Sequence, residues 1–166
     1  MALRIPEVIT EEELKKLLSA EKVKPHHKAA FALAFYGCLR VSEVCKLQPE
    51  DVDTNLKQIK IRQSKRNKDR IIPLPPEVKS IQKFLPFNLT PRALEIAFKK
   101  ACKQVLGKDL HFHCLRHSGI THYIKKGWST LEVARLAGHS RVTTTEIYTH
   151  LKVDDLISKM WQEDKR

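Results

Sequence analysis

Hydrophobic positions recur at helical spacing along most of the chain and at strand spacing in one short region. Leu14, Leu17 and Leu18 follow Thr10 and Glu13, whose spacing forms a capping box, so a first helix is expected over about Glu11 to Ala20. Pro25 opens a second helix that carries the apolar run Ala29 to Leu39 and stops near Gly37. That run is too short to span a bilayer and suits a buried helix. Ser42 is the candidate cap of a short third helix. Between Gln58 and Gln63, and again from Arg70 to Leu74, apolar and polar residues alternate, which predicts the two strands of a hairpin. Pro75-Pro76-Glu77 begins a helix expected to reach about Leu85. Thr90 then caps the longest helix, about Pro91 to Leu106, with Leu94, Ala97, Phe98, Ala101 and Val105 on one face and Gly107 at its end. A further helix runs from about His113 to Lys126, closed by Gly127. Ser129 with Glu132 caps the next, which Gly138 stops, and Thr143 with Glu146 caps another that bears Tyr148 on its first turns. Val153, Leu156, Ile157, Met160 and Trp161 complete a strongly amphipathic terminal helix. Such a helix packs on its own domain or docks in a cleft of a neighbouring subunit. The fold class that results is mainly α with a small antiparallel β-sheet.

Composition sharpens this picture. The 166 residues suit one domain and a genuine core, with 42% hydrophobic and 30% charged positions. Lys and Arg number 31 against 19 Asp and Glu, a formal charge of +12. That excess favours a polyanionic partner, because neutralising phosphates releases condensed counterions. Cys38, Cys45, Cys102 and Cys114 follow no CxxC or extracellular pattern and suit reduced thiols. The first residues lack the apolar core of a signal peptide, so cytoplasm or nucleoid is the expected location and no membrane is implied.

Candidate chemistry concentrates late in the chain. His113 and Arg116 lie three apart and share a helix face. His139 follows Gly138 on a loop, and Tyr148 offers a phenol. Thr143, Thr144 and Thr145 suit a helix start, where hydroxyls and free N–H groups can meet phosphate. Between Lys57 and Arg70 seven Lys or Arg (57, 60, 62, 65, 66, 68, 70) stand against one Asp. A hairpin would gather them at one tip suited to a DNA groove or backbone. Arg40 sits in the turn between a buried helix and the next. It is either a surface arginine paired with Glu43 or one fixed so that its fork meets a phosphate. His111, His113, Cys114 and His117 match no zinc spacing, so no metal site is expected.

Five motifs in order carry a resemblance. Gly37-Cys-Leu-Arg40-Val-Ser-Glu43, Ser64-Lys65-Arg-Asn-Lys-Asp-Arg70-x-x-Pro-Leu, His113-x-Leu-Arg116-His117-Ser118, Leu136-Ala-Gly-His139-Ser and Thr144-Thr-x-Ile-Tyr148-Thr-His resemble the tyrosine recombinase (phage integrase) family, nearest its Xer-type and archaeal integrase branch. The resemblance implies that fold and a metal-free, cofactor-free site. Arg40, Lys65, His113, Arg116 and His139 would surround a scissile DNA phosphate, with Tyr148 as the nucleophile. Arg62, Ser64, Arg66, Lys68, Arg70, His117, Arg141, Thr144 and Thr145 would contact the DNA. Strands would be cut and rejoined through a 3′-phosphotyrosyl link, in a DNA-bound tetramer joined through the terminal helix.

Three departures accompany the match. Family members usually carry a separate N-terminal DNA-clamping domain, whereas residues 1–166 are expected to form a single catalytic domain. Ser64 and Arg66 flank Lys65 where the family often has glycine, which makes Lys68 a rival to Lys65. His111 beside His113 invites the metal reading set aside above. A non-catalytic DNA-binding module of the same fold and a type IB topoisomerase are the competing functions. The intact set of six residues favours the recombinase, since binding alone has no need of Tyr148.

Overall fold

The computed structural model describes residues 7–62, 69–139 and 152–163. The helices are α1 (Glu11–Ser19), α2 (Pro25–Tyr36), α3 (Val41–Lys46), α4 (Pro91–Leu106), α5 (His113–Lys125), α6 (Thr130–Ala137) and α7 (Val153–Glu163). A three-stranded antiparallel sheet, ordered β1 (Val52–Asp53), β2 (Gln58–Ile61), β3 (Arg70–Pro73), lies between α3 and α4 in the chain. Among the described residues no helix is long and apolar enough to cross a membrane.

Helix α2 is the hub. Its residues from Ala30 to Tyr36 are all buried, as an apolar run without a polar face requires, and α1, α3, α4 and α5 pack round it. Phe31, Phe98 and Phe112 meet edge-to-face at centroid distances of 5.1, 6.3 and 5.6 Å and join α2 to α4 and the start of α5. Gly119 brings α5 against α2 so closely that a Cβ there would stand 2.0 Å from the Phe35 carbonyl oxygen. The Tyr123 hydroxyl donates to the Tyr36 carbonyl at 2.6 Å and closes the same seam.

Most caps among the described residues form as their sequences imply, and the expected Thr143–Glu146 box with the helix bearing Tyr148 lies outside them. Thr10 and Ser129 make reciprocal capping boxes with Glu13 and Glu132. Thr90 caps α4, and Gly107 and Gly138 end α4 and α6 in the left-handed region. Two expectations fail. Arg40, not Ser42, is the N-cap of α3, because the Glu43 carboxylate reaches back to the Arg40 N–H. The stretch after Pro75 forms two short 3₁₀ turns, Pro76–Val78 and Ile81–Phe84, rather than a helix to Leu85. Its few apolar anchors (Val78, Ile81) are buried within single turns against α2, and Pro86 forbids extension.

In the sheet, Ile59 pairs with Ile72 and Ile61 with Arg70. Ile59, Ile61 and Ile72 turn into the core, while Lys60 and Ile71 face outward. Arg70 has the parity of Ile72 and therefore points inward. Helix α7 covers β3 of its own chain, burying Leu156 and Met160. The Trp161 indole N–H donates to the Leu74 carbonyl at 3.0 Å, and Lys159 pairs with Glu132 of α6.

Candidate active site

Four elements converge at one end of α5. The first is the tight turn after α2. Cys38 adopts φ +53°, rare for a residue with a side chain, and this turns its carbonyl towards α5. Arg116, 3% exposed, donates to that carbonyl at 2.8 Å. Burial, then the charges of Arg40 and Arg70, push its pKa down to about 10, which leaves it a cation at neutral pH. Its place is set by main chain and packing.

The second element is the N-terminus of α3. Arg40 donates its backbone N–H to Glu43 Oε2 at 2.9 Å and its Nη1 to Oε1 at 3.2 Å, with 42% of the side chain exposed. The pairing with Glu43 expected from the sequence is present, and it holds Arg40 with its outer edge free of the core. Glu43 itself is buried. Burial alone would raise its pKa, but the hydrogen bonds and charge of Arg70 and the Arg40 N–H outweigh this and hold it below the ordinary value.

The third and fourth elements bring histidines. His113, at the first position of α5, lies 4.5 Å from the His117 ring, centroid to centroid. His139 follows the left-handed Gly138, and its N–H bonds to the Ala134 carbonyl at 3.1 Å. Desolvation lowers the pKa of both rings. His113 is lowered further by His117, Arg116 and Arg40, and His139 by Arg116, Arg40, His117 and Arg70. Both imidazoles are therefore neutral at pH 7 and available as a hydrogen-bond donor or a proton acceptor.

The structure accordingly gathers Arg40, His113, Arg116, His117 and His139, residues up to 99 positions apart, within electrostatic reach of one another. Two arginines of the hairpin bond buried carboxylates, Arg70 largely shielded and Arg62 with 48% of its side chain exposed. Arg70 is 13% exposed and places Nη1 and Nη2 on Glu43 at 2.8 and 3.3 Å. Arg62 bonds the buried Asp51 through Nε and Nη2, both at 2.8 Å. Ser64, Lys65, Arg66, Lys68, Arg141, Thr144, Thr145 and Tyr148 lie outside the described residues. Sequence reasoning missed Asp51, Gly138 and the Cys38 carbonyl as supports. Of these only Gly138 left a signal, as the glycine that stops α6.

Two fixed guanidiniums beside two neutral imidazoles, on a helical frame with one small sheet, have the chemistry to hold an oxyanion and to accept or donate a proton beside it. The model of the Phage integrase family matches residues 7–85 and 86–154, and the chain belongs to that family. A tyrosine recombinase of Thermosipho africanus is 33% identical over 89% of this chain and 58% of its own length. The XerA tyrosine recombinase of Thermococcus kodakarensis is 32% identical over 92% of this chain and 61% of its own. The chain thus spans about three-fifths of the length of these curated relatives. The crystal structure of XerA recombinase superposes with a TM-score of 0.75 at 25% identity, covering 100% of this chain and 66% of that one. The integrase of mycobacterium phage Brujita shares the fold with a TM-score of 0.82 at 22% identity, over 96% of this chain and 58% of that one.

Proposed function

We propose that this chain is the catalytic domain of a site-specific DNA recombinase that cuts and rejoins strands through Tyr148. The convergence of Arg40, Arg116, His113 and His139 on the family's fold carries this reading. The Tyr148 phenol oxygen attacks the scissile phosphorus, and the bond from phosphorus to the 5′-oxygen breaks. A phenol of pKa near ~10 needs a base, and neutral His113 takes its proton. Lys65 gives a proton to the departing 5′-oxygen. Arg40 and Arg116 meet the charge that grows on the non-bridging oxygens, and His139 donates a hydrogen bond to the same group. The 3′-phosphotyrosyl product keeps the bond energy, so a 5′-hydroxyl of another strand can reverse the step.

Duplex DNA is the substrate, in keeping with a formal charge of +12 and with the basic hairpin segment. Lambda integrase, which shares the fold at 20% identity, has been solved as a tetramer bound to a Holliday junction. A DNA-bound tetramer with α7 exchanged between protomers is the assembly we assign to this chain. Its packing on β3 in the single chain is then the unexchanged position.

Nicked duplexes of random core sequence, incubated with the protein and then denatured, test the chemistry directly. Covalent protein–DNA adducts are expected from the wild type and none from Tyr148→Phe. Adduct that persists in Tyr148→Phe removes the nucleophile assignment. Binding without adduct supports a DNA-binding module instead, and relaxation of supercoiled DNA without strand exchange supports a topoisomerase.

A further inference from the structure

We infer that Arg70 is a positioning residue that locks the turn carrying Arg40 to the turn carrying His139, and that it is not itself a DNA contact. The inference rests on the recombinase reading for its effect on cleavage, and on the geometry alone for the lock.

Arg70 opens β3 on the inward face, opposite Ile61. One end of its guanidinium grips Glu43 through two nitrogens. The same carboxylate accepts the Arg40 N–H and Nη1, so Arg40 and Arg70 are held by one buried acceptor. The guanidinium also lies against Gly138. A Cβ at Gly138 would stand 2.7 Å from Cζ and 2.8 Å from Nε and Nη1. Gly138 has φ +68°, and His139 is the next residue. Glycine is therefore required twice, for the left-handed turn and for the space that Arg70 fills.

Nothing in this arrangement reaches for a ligand. Nε is buried without a hydrogen-bond partner among the described residues, and the two terminal nitrogens are engaged with Glu43. A phosphate contact would need one of those edges released. The position instead ties two parts of the proposed site to β3: the Arg40 turn through Glu43 and the His139 turn through Gly138. Lysine cannot replace it, because the lock uses a planar fork at one end and a flat face against the glycine.

The test uses the full chain and a duplex recovered from the adduct selection. Single-turnover adduct formation is measured at saturating DNA, alongside Kd at several salt concentrations and the Tm. Arg70→Lys is expected to slow cleavage by about 100-fold, the usual scale for ångström-level misplacement, while Kd and its salt slope stay within about 2-fold of wild type. A DNA contact behaves oppositely: Arg70→Lys retains cleavage, and Arg70→Met lowers the salt slope by about 1. Either result overturns the inference. A protein that forms no adduct at all defeats the recombinase reading, and the lock is then judged from Tm. Gly138→Ala should lower Tm less in an Arg70→Met background than in wild type, because the atoms that its Cβ meets are gone. Fully additive Tm losses overturn the lock.

Discussion

The two arginines proposed to share one phosphate are held by different physics. Arg116 belongs to the seam between α2 and α5, where its acceptor is a peptide carbonyl fixed by helix packing. The neighbouring polar groups of that seam do likewise. Tyr123 bonds the Tyr36 carbonyl, and Ser118 bonds the Cys114 carbonyl while accepting the Ile9 N–H. Arg40 belongs to a corner where α3, β3 and the end of α6 meet around a buried carboxylate. The seam is held by shape and the corner by charge. A main-chain acceptor cannot be titrated or substituted away, whereas the corner depends on the ionisation of one glutamate and the fit of one guanidinium.

Breaking the corner should have the largest effect on stability. Glu43→Ala leaves Arg70 buried without its carboxylate, and a loss of about 3–5 kcal/mol is expected in urea unfolding. The paired change Glu43→Leu with Arg70→Met should recover most of that stability and none of the cleavage, separating folding from positioning. Removing Arg116 comes next: Arg116→Ala should cost about 2.7–4 kcal/mol in the cleavage barrier, with DNA affinity largely kept because many basic residues share binding. Joint loss of binding and cleavage would make Arg116 structural. In the seam, Gly119→Ala drives a Cβ towards the Phe35 carbonyl and should cost about 1–3 kcal/mol in unfolding.

The smallest effects are those of pH. The folded pKa of Glu43 lies below its ordinary 4.5, so its contribution is complete above that value and is lost as pH falls through the folded one. Amide exchange should therefore rise first around Arg40 on acidification, ahead of the α2–α5 seam. His113 and His139 have folded pKa values below 6.5, so they too resist protonation, and what they add is lost below that value. The acid limb of cleavage should lie below pH 6.5. A limb at or above 6.5 would show that neither histidine governs it.

Periodicity and caps made most of the helical frame legible. Helix α4 runs from Pro91 to Leu106, as Thr90-Pro91 and Gly107 imply, and α6 obeys its capping box. Sequence reasoning failed where tertiary contact replaced local signal. The 3₁₀ turns after Pro75 have too few residues for a helical period, and β1 is two residues recruited by pairing with β2. Of the residues that the family motifs single out, the structure gathers Arg40, His113, Arg116 and His139, while Lys65 and Tyr148 lie outside the described residues, and most of the supports left no local signal. Glu43 showed only its local partner Arg40, because Arg70 lies 27 positions further on and meets it through the strand register. That Cys38 supplies a carbonyl depends on a left-handed residue that no propensity anticipates.

The docking of α7 has an optical consequence. The chain has two tryptophans, and α7 touches both. Trp161 lies on α7, bonded to Leu74 with the Lys57 ammonium 4.2 Å from its ring centre. Trp128 is buried in the body of the domain with Lys159 of α7 5.3 Å from its ring centre. Release of the terminal helix would wet one indole and remove a cation from the other. The intrinsic emission of the unlabelled protein should therefore shift when the helix leaves β3, so release of the helix is readable without a probe.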